Sequence, residues 1–317
     1  MKISLIEPLN IDQKMISQLA QPLIDMGHEF KYYSNIAEND DELYSRCKDS
    51  EIVMIANHPL AGDVIQRLNQ TKLINIAFTG VDHVDQQAAK NKGILLANAS
   101  GYSRHAVPEL SVGMALELYR HLSQSHLDTL KAESFPSKRI GRELFGKTVG
   151  IIGTGQLGIN TAKLYKAFGC KLLGFNRSIK DEAIEIGIEY QSLDDVLVQS
   201  DIISLHLPLT QETRKIISCE KISLMSKHAI IINVARGDLI DNTALARALN
   251  TGNITGAGID VFESEPPLKS NHPLLTAKNC ILTPHIGYLT QEAMIERAKI
   301  VFENTLAYIE GHPQNII

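Results

Sequence analysis

Several things are scarce or missing in this sequence, and each shortage narrows what the chain can be. There is no tryptophan, and aromatic residues make up 5% of the 317 positions. The four cysteines, Cys47, Cys170, Cys219 and Cys280, are scattered and form no CxxC pair. The expectation is reduced, mostly buried thiols in a cytoplasmic protein, with no metal site. No run of Lys and Arg is long enough to lay a basic stripe along nucleic acid, and the net charge is −5. The longest apolar runs, such as AIII at 229–232, fall far short of the roughly 20 residues a membrane span needs. The opening MKISLIEP is too short an apolar run for a signal peptide. Nucleic acid and membrane are therefore not expected partners. No internal repeat or low-complexity segment stands out. With 44% hydrophobic and 21% charged residues, the chain is an ordinary globular one, long enough for about two domains.

What is present is an alternation of short β-branched runs with helical patterns. KISLIEP, EIVMIAN, KLINIAF and GILLAN make a first series, with helix-like stretches at 11–26 and 61–69. A polar, Gly-containing passage follows, NASGYS at 98–103. Ser103 is a candidate cap for a helix over 106–124, with Pro108 tolerated in its first turns. The second series runs KTVGIIG, KLLGFN, IISLHLP, AIIINVA, ITGAGIDV and CILTPH, and a helical pattern over 291–310 follows it. Strands that read as near-continuous apolar runs, alternating with helices, indicate parallel sheets covered on both faces. The expected fold class is α/β: two Rossmann-like, doubly wound parallel-sheet domains with an active-site cleft between them. Residues 1–100 with 288–317 would form a substrate-binding domain, and 101–287 a dinucleotide-binding domain.

VGIIGTGQLG carries a GxGxxG pattern at Gly153, Gly155 and Gly158, between a strand-like and a helix-like run. Gly153 permits the tight turn, Gly155 lets backbone approach a pyrophosphate, and Gly158 lets the helix pack on the strand. The N–H groups of Gln156, Leu157 and Gly158 would face the phosphates. One further absence now matters. The second strand of such a unit normally ends in an Asp or Glu that grips the adenine-ribose hydroxyls. Here CKLLGFN ends at Asn176, 18 positions beyond Gly158, and Arg177 and Ser178 follow. Asn removes the charge that would repel a 2′-phosphate, Arg177 offers a fork for it, and Ser178 a hydrogen bond. The alternative is a solvated surface arginine and an enzyme indifferent to the phosphate.

INVARGDLID, GIDVFESEPP, ILTPHIG and LHLPLTQETR, with the glycine loop, resemble the D-isomer-specific 2-hydroxyacid dehydrogenase family. FTGVDHVD and NASGYS extend the resemblance over nearly the whole chain, and it is strongest from Gly141 to Gly287. It implies NAD(P)H-dependent reduction of a small 2-keto acid to the D-2-hydroxy acid, in the manner of glyoxylate/hydroxypyruvate reductases. That reaction needs a hydride donor, a proton donor and a cation for the carboxylate and the developing oxyanion. Nicotinamide supplies hydride. His285 suits the proton, because imidazole titrates near neutral pH. Glu265 suits the role of its carboxylate partner, and Arg236 that of the substrate cation. The resemblance assigns these three the same roles. It also implies that Thr79, Gly80 and Val81 hold the substrate carboxylate through backbone N–H groups, with Asn57 lining the pocket. His58 and His83 stay open between substrate contact and surface. His206 and Pro208 would shape the coenzyme wall, Thr210 and Thr213 belong to the coenzyme loop, and Val234, Ala235 and Asp260 would lie beside the nicotinamide.

The family's usual Asp is Asn176 here, so NADP(H) is the expected coenzyme, with NAD(H) as the alternative. The sequence stops at Ile317, so the regulatory domain of long phosphoglycerate dehydrogenases, and serine feedback, are not expected. Formate-oxidising members carry Gln where Glu265 stands. First-lobe loops without a dense Lys/Arg set disfavour 3-phosphoglycerate, and few aromatics disfavour phenylpyruvate. Glyoxylate and hydroxypyruvate come first. The alternatives are an NAD-dependent dehydrogenase of D-lactate or D-glycerate/3-phosphoglycerate and, in another class, a non-catalytic corepressor-like protein that senses dinucleotide. The resemblance also implies a homodimer, with the helix from Ala106 and the arm at 126–144 as its contact.

Overall fold

The computed structural model describes residues 1–131, 139–264 and 267–317. The chain divides into two compact units, Met1–Ser103 with Leu289–Ile317, and Arg104–Tyr288.

The first unit holds five parallel strands: β1 (Lys2–Leu5), β2 (Glu29–Tyr32), β3 (Ile52–Ile55), β4 (Leu73–Ile76) and β5 (Leu95–Asn98). Their order is β2-β1-β3-β4-β5. Every residue of β3 and β4 is buried, which is why IVMI and LINI carry no polar alternation. The winding reverses between β1 and β3. In open α/β sheets, ligands bind beyond the carboxyl ends of the strands at such a reversal. The helix Gln291–Ile309 returns to this sheet and is tied to it by buried polar contacts. Asn75 Nδ2 donates to the Val301 carbonyl at 2.6 Å and to Thr305 Oγ1 at 3.0 Å. Arg297 donates to the Leu9 carbonyl at 2.8 Å.

The second unit holds seven parallel strands: β6 (Thr148–Ile152), β7 (Lys171–Phe175), β8 (Ile188–Tyr190), β9 (Ile202–Leu205), β10 (Ile230–Asn233), β11 (Gly256–Ile259) and β12 (Cys280–Leu282). Their order is β12-β11-β10-β9-β6-β7-β8, so the winding reverses between β6 and β9. Successive strand residues feed two cores. Val149, Ile151, Leu172, Ile230 and Ile232 pack with the helices Ala106–Arg120 and Gln156–Ala167. Ile152, Leu173, Ile231 and Ile259 pack with residues of the helices Leu193–Gln199, Cys219–Leu224 and Asn242–Thr251 on the other face. The doubly wound α/β architecture expected from the sequence is present in both units.

Three local expectations differ. The strands β2 and β8 were not expected from sequence. Both are sheet edges with half-exposed patterns, EFKY and IEY, and lack an apolar run. The helix expected over 106–124 ends at Arg120, because His121 takes a left-handed conformation (φ 53°) and caps it. A separate helix, Leu122–Leu130, follows with no buried residue. Ser103 does not cap: the helix starts after His105 with no side-chain cap, and Ser103 is buried.

Candidate active site

The glycine loop sits where the second unit's winding reverses. Gly153 has φ 101°, and a Cβ there would stand 2.6 Å from the His206 carbonyl oxygen. The loops after β6 and β9 thus touch backbone to backbone. A Cβ on Gly158 would lie 1.9 Å from the Gly153 carbonyl oxygen, so only glycine lets the helix start this close to the strand. A Cβ on Gly155 would meet nothing within 4 Å, so backbone is bare to open space at the third corner. The helix Gln156–Ala167 begins at Gly155 with no side-chain cap, and its first backbone bond runs from Ile159 N to the Gly155 carbonyl. The N–H groups of Gln156, Leu157 and Gly158 therefore have no partner within the helix. This cradle fits a dinucleotide pyrophosphate.

The loop after β9 is braced from within. Thr213 Oγ1 donates to the Pro208 carbonyl at 2.7 Å and accepts from Thr210 N at 2.7 Å. His206 places Nε2 2.9 Å from Ser204 Oγ, which lies 2.9 Å from Ser111 Oγ. Burial pushes this imidazole down to about 3, so His206 is a neutral wall at neutral pH. Thr210 also donates to Glu212 at 2.7 Å. That hydroxyl holds the Glu212 carboxyl below its usual range, and the Arg177 charge adds to the effect. At the end of β7, Asn176 Nδ2 donates to the Ser178 carbonyl at 2.8 Å, and Arg177 and Ser178 are exposed.

The carboxyl ends of β10, β11 and β12 carry the charged groups. Asn233 is fully buried. Its Nδ2 donates to the Arg236 carbonyl at 2.8 Å and its Oδ1 accepts from Ala235 N at 3.1 Å, closing the turn that presents Arg236. Arg236 Nη1 donates to the Ala235 carbonyl at 2.7 Å, and Val234 is buried. A Cβ on Gly237 would fall 1.9 Å from the Phe262 carbonyl carbon, so the turns after β10 and β11 lie in contact. Asp260 is 0% exposed and organises the turn after β12. Its Oδ1 accepts from Thr283 Oγ1 at 2.5 Å and Ile286 N at 2.8 Å, and its Oδ2 from Gly287 N at 2.8 Å. His285 sits in that turn with φ 56°. Its N–H reaches the Asp260 and Thr283 carbonyls at 2.8 and 3.0 Å, and its ring meets Tyr288 edge-on at 5.4 Å. Glu265 lies outside the described residues.

In the first unit, the loops after β3 and β4 carry the remaining candidates. Glu7, 4% exposed, accepts from Ala56 N at 2.7 Å and His58 N at 3.1 Å. It thereby shapes the turn of exposed Asn57. His58 places Nδ1 2.9 Å from the Pro59 carbonyl and Nε2 3.2 Å from the Ala37 carbonyl. The Thr79 carbonyl accepts from Asn98 Nδ2 at 3.0 Å, and Val84 N bonds the Val81 carbonyl at 3.0 Å, folding the loop around Gly80. Burial pushes the His83 imidazole down. Glu7, Asn233 and Thr283 were not singled out from sequence. A signal exists for the first two: each is a polar residue at or just past the end of a buried apolar strand, in SLIE and IIIN.

The family model described as "D-isomer specific 2-hydroxyacid dehydrogenase, NAD binding domain" matches residues 112–287. A D-3-phosphoglycerate dehydrogenase of Methanocaldococcus jannaschii is 40% identical over 282 residues, 87% of this chain and 53% of that protein. The chain thus spans about half that relative's length. A glycerate dehydrogenase of Methylorubrum extorquens is 37% identical over 298 residues, 92% of each. Among solved structures, an acyclic imino acid reductase in complex with NADPH and D-Arg superposes with TM-score 0.88 at 27% identity, covering all of both chains.

Proposed function

The chain belongs to the D-isomer-specific 2-hydroxyacid dehydrogenase family, and on that premise we propose that it reduces glyoxylate or hydroxypyruvate to the 2-hydroxy acid (the D-isomer where C2 becomes a stereocentre), preferring NADPH. The observation that carries this reading is the pairing, in one unit, of a dinucleotide cradle with Arg236 and His285 on the turns after β10 and β12, the two strands that flank β11. Bound nicotinamide supplies the hydride to C2 of the keto acid. His285 gives the proton to the C2 oxygen as it gains charge, and Arg236 holds the carboxylate. We assign Glu265 to the His285 imidazolium, and Thr79, Gly80, Val81 and Asn57 to the substrate. Asp260 we assign to holding the His285 turn, since both its oxygens are already engaged there. A glycerate dehydrogenase among the relatives suits hydroxypyruvate, which is glycerate oxidised at C2.

NADPH preference rests on Asn176, Arg177 and Ser178 standing where an acid would exclude the 2′-phosphate. One charge-assisted contact of about 1.5–3 kcal/mol gives a roughly 10- to 100-fold preference. The test is kcat/KM for NADPH and NADH on the wild type and on Arg177→Ala. The preference is expected to collapse in the variant. Equal use of NADH by the wild type overturns it.

The second copy of a homodimer would cover the exposed apolar face near Leu122–Leu130. Leu130 is 70% and Ile140 90% exposed, and Phe145, just past the expected arm and beside Gly169, is 76% exposed. Part of the expected contact, 132–138, lies outside the described residues. Sedimentation equilibrium is expected to return twice the chain mass, and Ile140→Asp with Phe145→Asp to return it once. A monomeric wild type sinks this assignment. The four thiols are unpaired, and burial pushes Cys47 and Cys280 up to about 12 and Cys170 to about 11. Three thiols held protonated by burial, with Cys219 exposed and in no disulfide, fit the cytoplasm, where we place the enzyme.

A further inference from the structure

We propose that Tyr190 is a positioning residue for coenzyme recognition. Its phenol latches the segment 176–180, which bears Asn176, Arg177 and Ser178, to the glycine loop. The inference rests on reading the β6–β9 crevice as a dinucleotide site.

Tyr190 closes the edge strand β8, opposite Gly174 of β7. Its Oη lies 2.6 Å from Thr154 Oγ1 and accepts from Lys180 N at 3.1 Å. Thr154 is the residue between Gly153 and Gly155, and it is 0% exposed, so no water competes for its hydroxyl. Its methyl lies toward β7, where a Cβ on Gly174 would come within 3.3 Å of it. Lys180 lies within the exposed stretch, 177–182, that begins at Arg177. One phenol oxygen thus joins the pyrophosphate turn to the far end of the ribose segment. An exposed cation such as Arg177 discriminates better if its backbone is already held, because ordering it on binding offsets part of the contact. Asn176 Nδ2 to the Ser178 carbonyl stiffens the near end of the segment, and Tyr190 holds the far end. Neither partner of Tyr190 belongs to the turns of Arg236 or His285, so the latch acts on coenzyme binding and not on the chemical step.

Tyr190→Phe keeps the ring packed and removes only the oxygen. Thr154→Val removes the Thr154–Tyr190 bond from the other side, leaves the bond from Lys180 N, and is the check if the first variant is unstable. Two measurements decide. In hydrogen–deuterium exchange on the coenzyme-free protein, peptides covering 176–190 are expected to exchange faster in both variants, with peptides of β10–β12 unchanged. In steady-state kinetics, KM for the preferred coenzyme is expected to rise about tenfold with kcat within twofold, the loss of one net hydrogen bond. Unchanged exchange at 176–180 together with a KM within twofold overturns the latch, as does a fall in kcat at constant KM. A wild type that prefers NADH overturns the NADPH assignment alone. The latch would still be read from exchange and from the NADH KM.

Discussion

His285→Asn lowers kcat/KM for reduction of glyoxylate and hydroxypyruvate by about 10²- to 10⁴-fold, the range a positioned general acid supplies. Asparagine is the informative replacement because His285 has φ 56°, a left-handed conformation that Asn tolerates better than most residues. Alanine would add backbone strain to the loss of the ring and confuse the two. The N–H of residue 285 still reaches the Asp260 and Thr283 carbonyls, so the turn persists. Coenzyme affinity, read from the fluorescence of bound NADPH, is expected to change less than twofold, because the glycine loop lies at a different pair of strand ends. The expected signature is a dead chemical step on an intact coenzyme site. A loss below tenfold would remove His285 from the proton-transfer role. Coenzyme binding intact with no turnover of any 2-keto acid by the wild type would instead favour a sensor over an enzyme.

How much of this was legible in sequence depends on what each residue's neighbours reveal. Strands with both faces covered, such as Ile230–Asn233 and Ile52–Ile55, announce themselves as unbroken apolar runs. Edge strands such as Glu29–Tyr32 do not, because one flank faces solvent and tolerates Glu and Lys. His121 ends a helix by adopting φ 53°, a choice that its sequence neighbours, Arg120 and Leu122, do not advertise. The glycine loop was readable because three glycines at fixed spacing have few other uses. Tyr190 was not readable, since its partners Thr154 and Lys180 are 36 and 10 residues away. Only the β7–β8 pairing brings them together. The resemblance places Asp260 beside the nicotinamide, whereas in the structure both its carboxylate oxygens are taken by the turn after β12.

That difference makes Asp260→Asn the second large effect. The native carboxylate accepts three hydrogen bonds, two from backbone N–H groups and one from Thr283, and it is wholly buried. Bonds to a charged acceptor contribute roughly 1.5–3 kcal/mol each. Asparagine keeps an acceptor at Oδ1, for Thr283 and Ile286. It puts an N–H₂ where Oδ2 was, facing the Gly287 N–H, donor against donor. The turn must shift to relieve that clash, and His285 shifts with it. A misplacement of about 1 Å costs on the order of 100-fold in rate, so kcat is expected to fall by about that much, with the coenzyme KM within twofold. If Asp260 instead met the nicotinamide directly, the split would invert: coenzyme KM would rise at least tenfold and kcat would hold. Measuring both constants on one variant therefore separates a residue that touches the coenzyme from one that aims the acid. The 0% exposure of Asp260, with both oxygens taken, favours the latter.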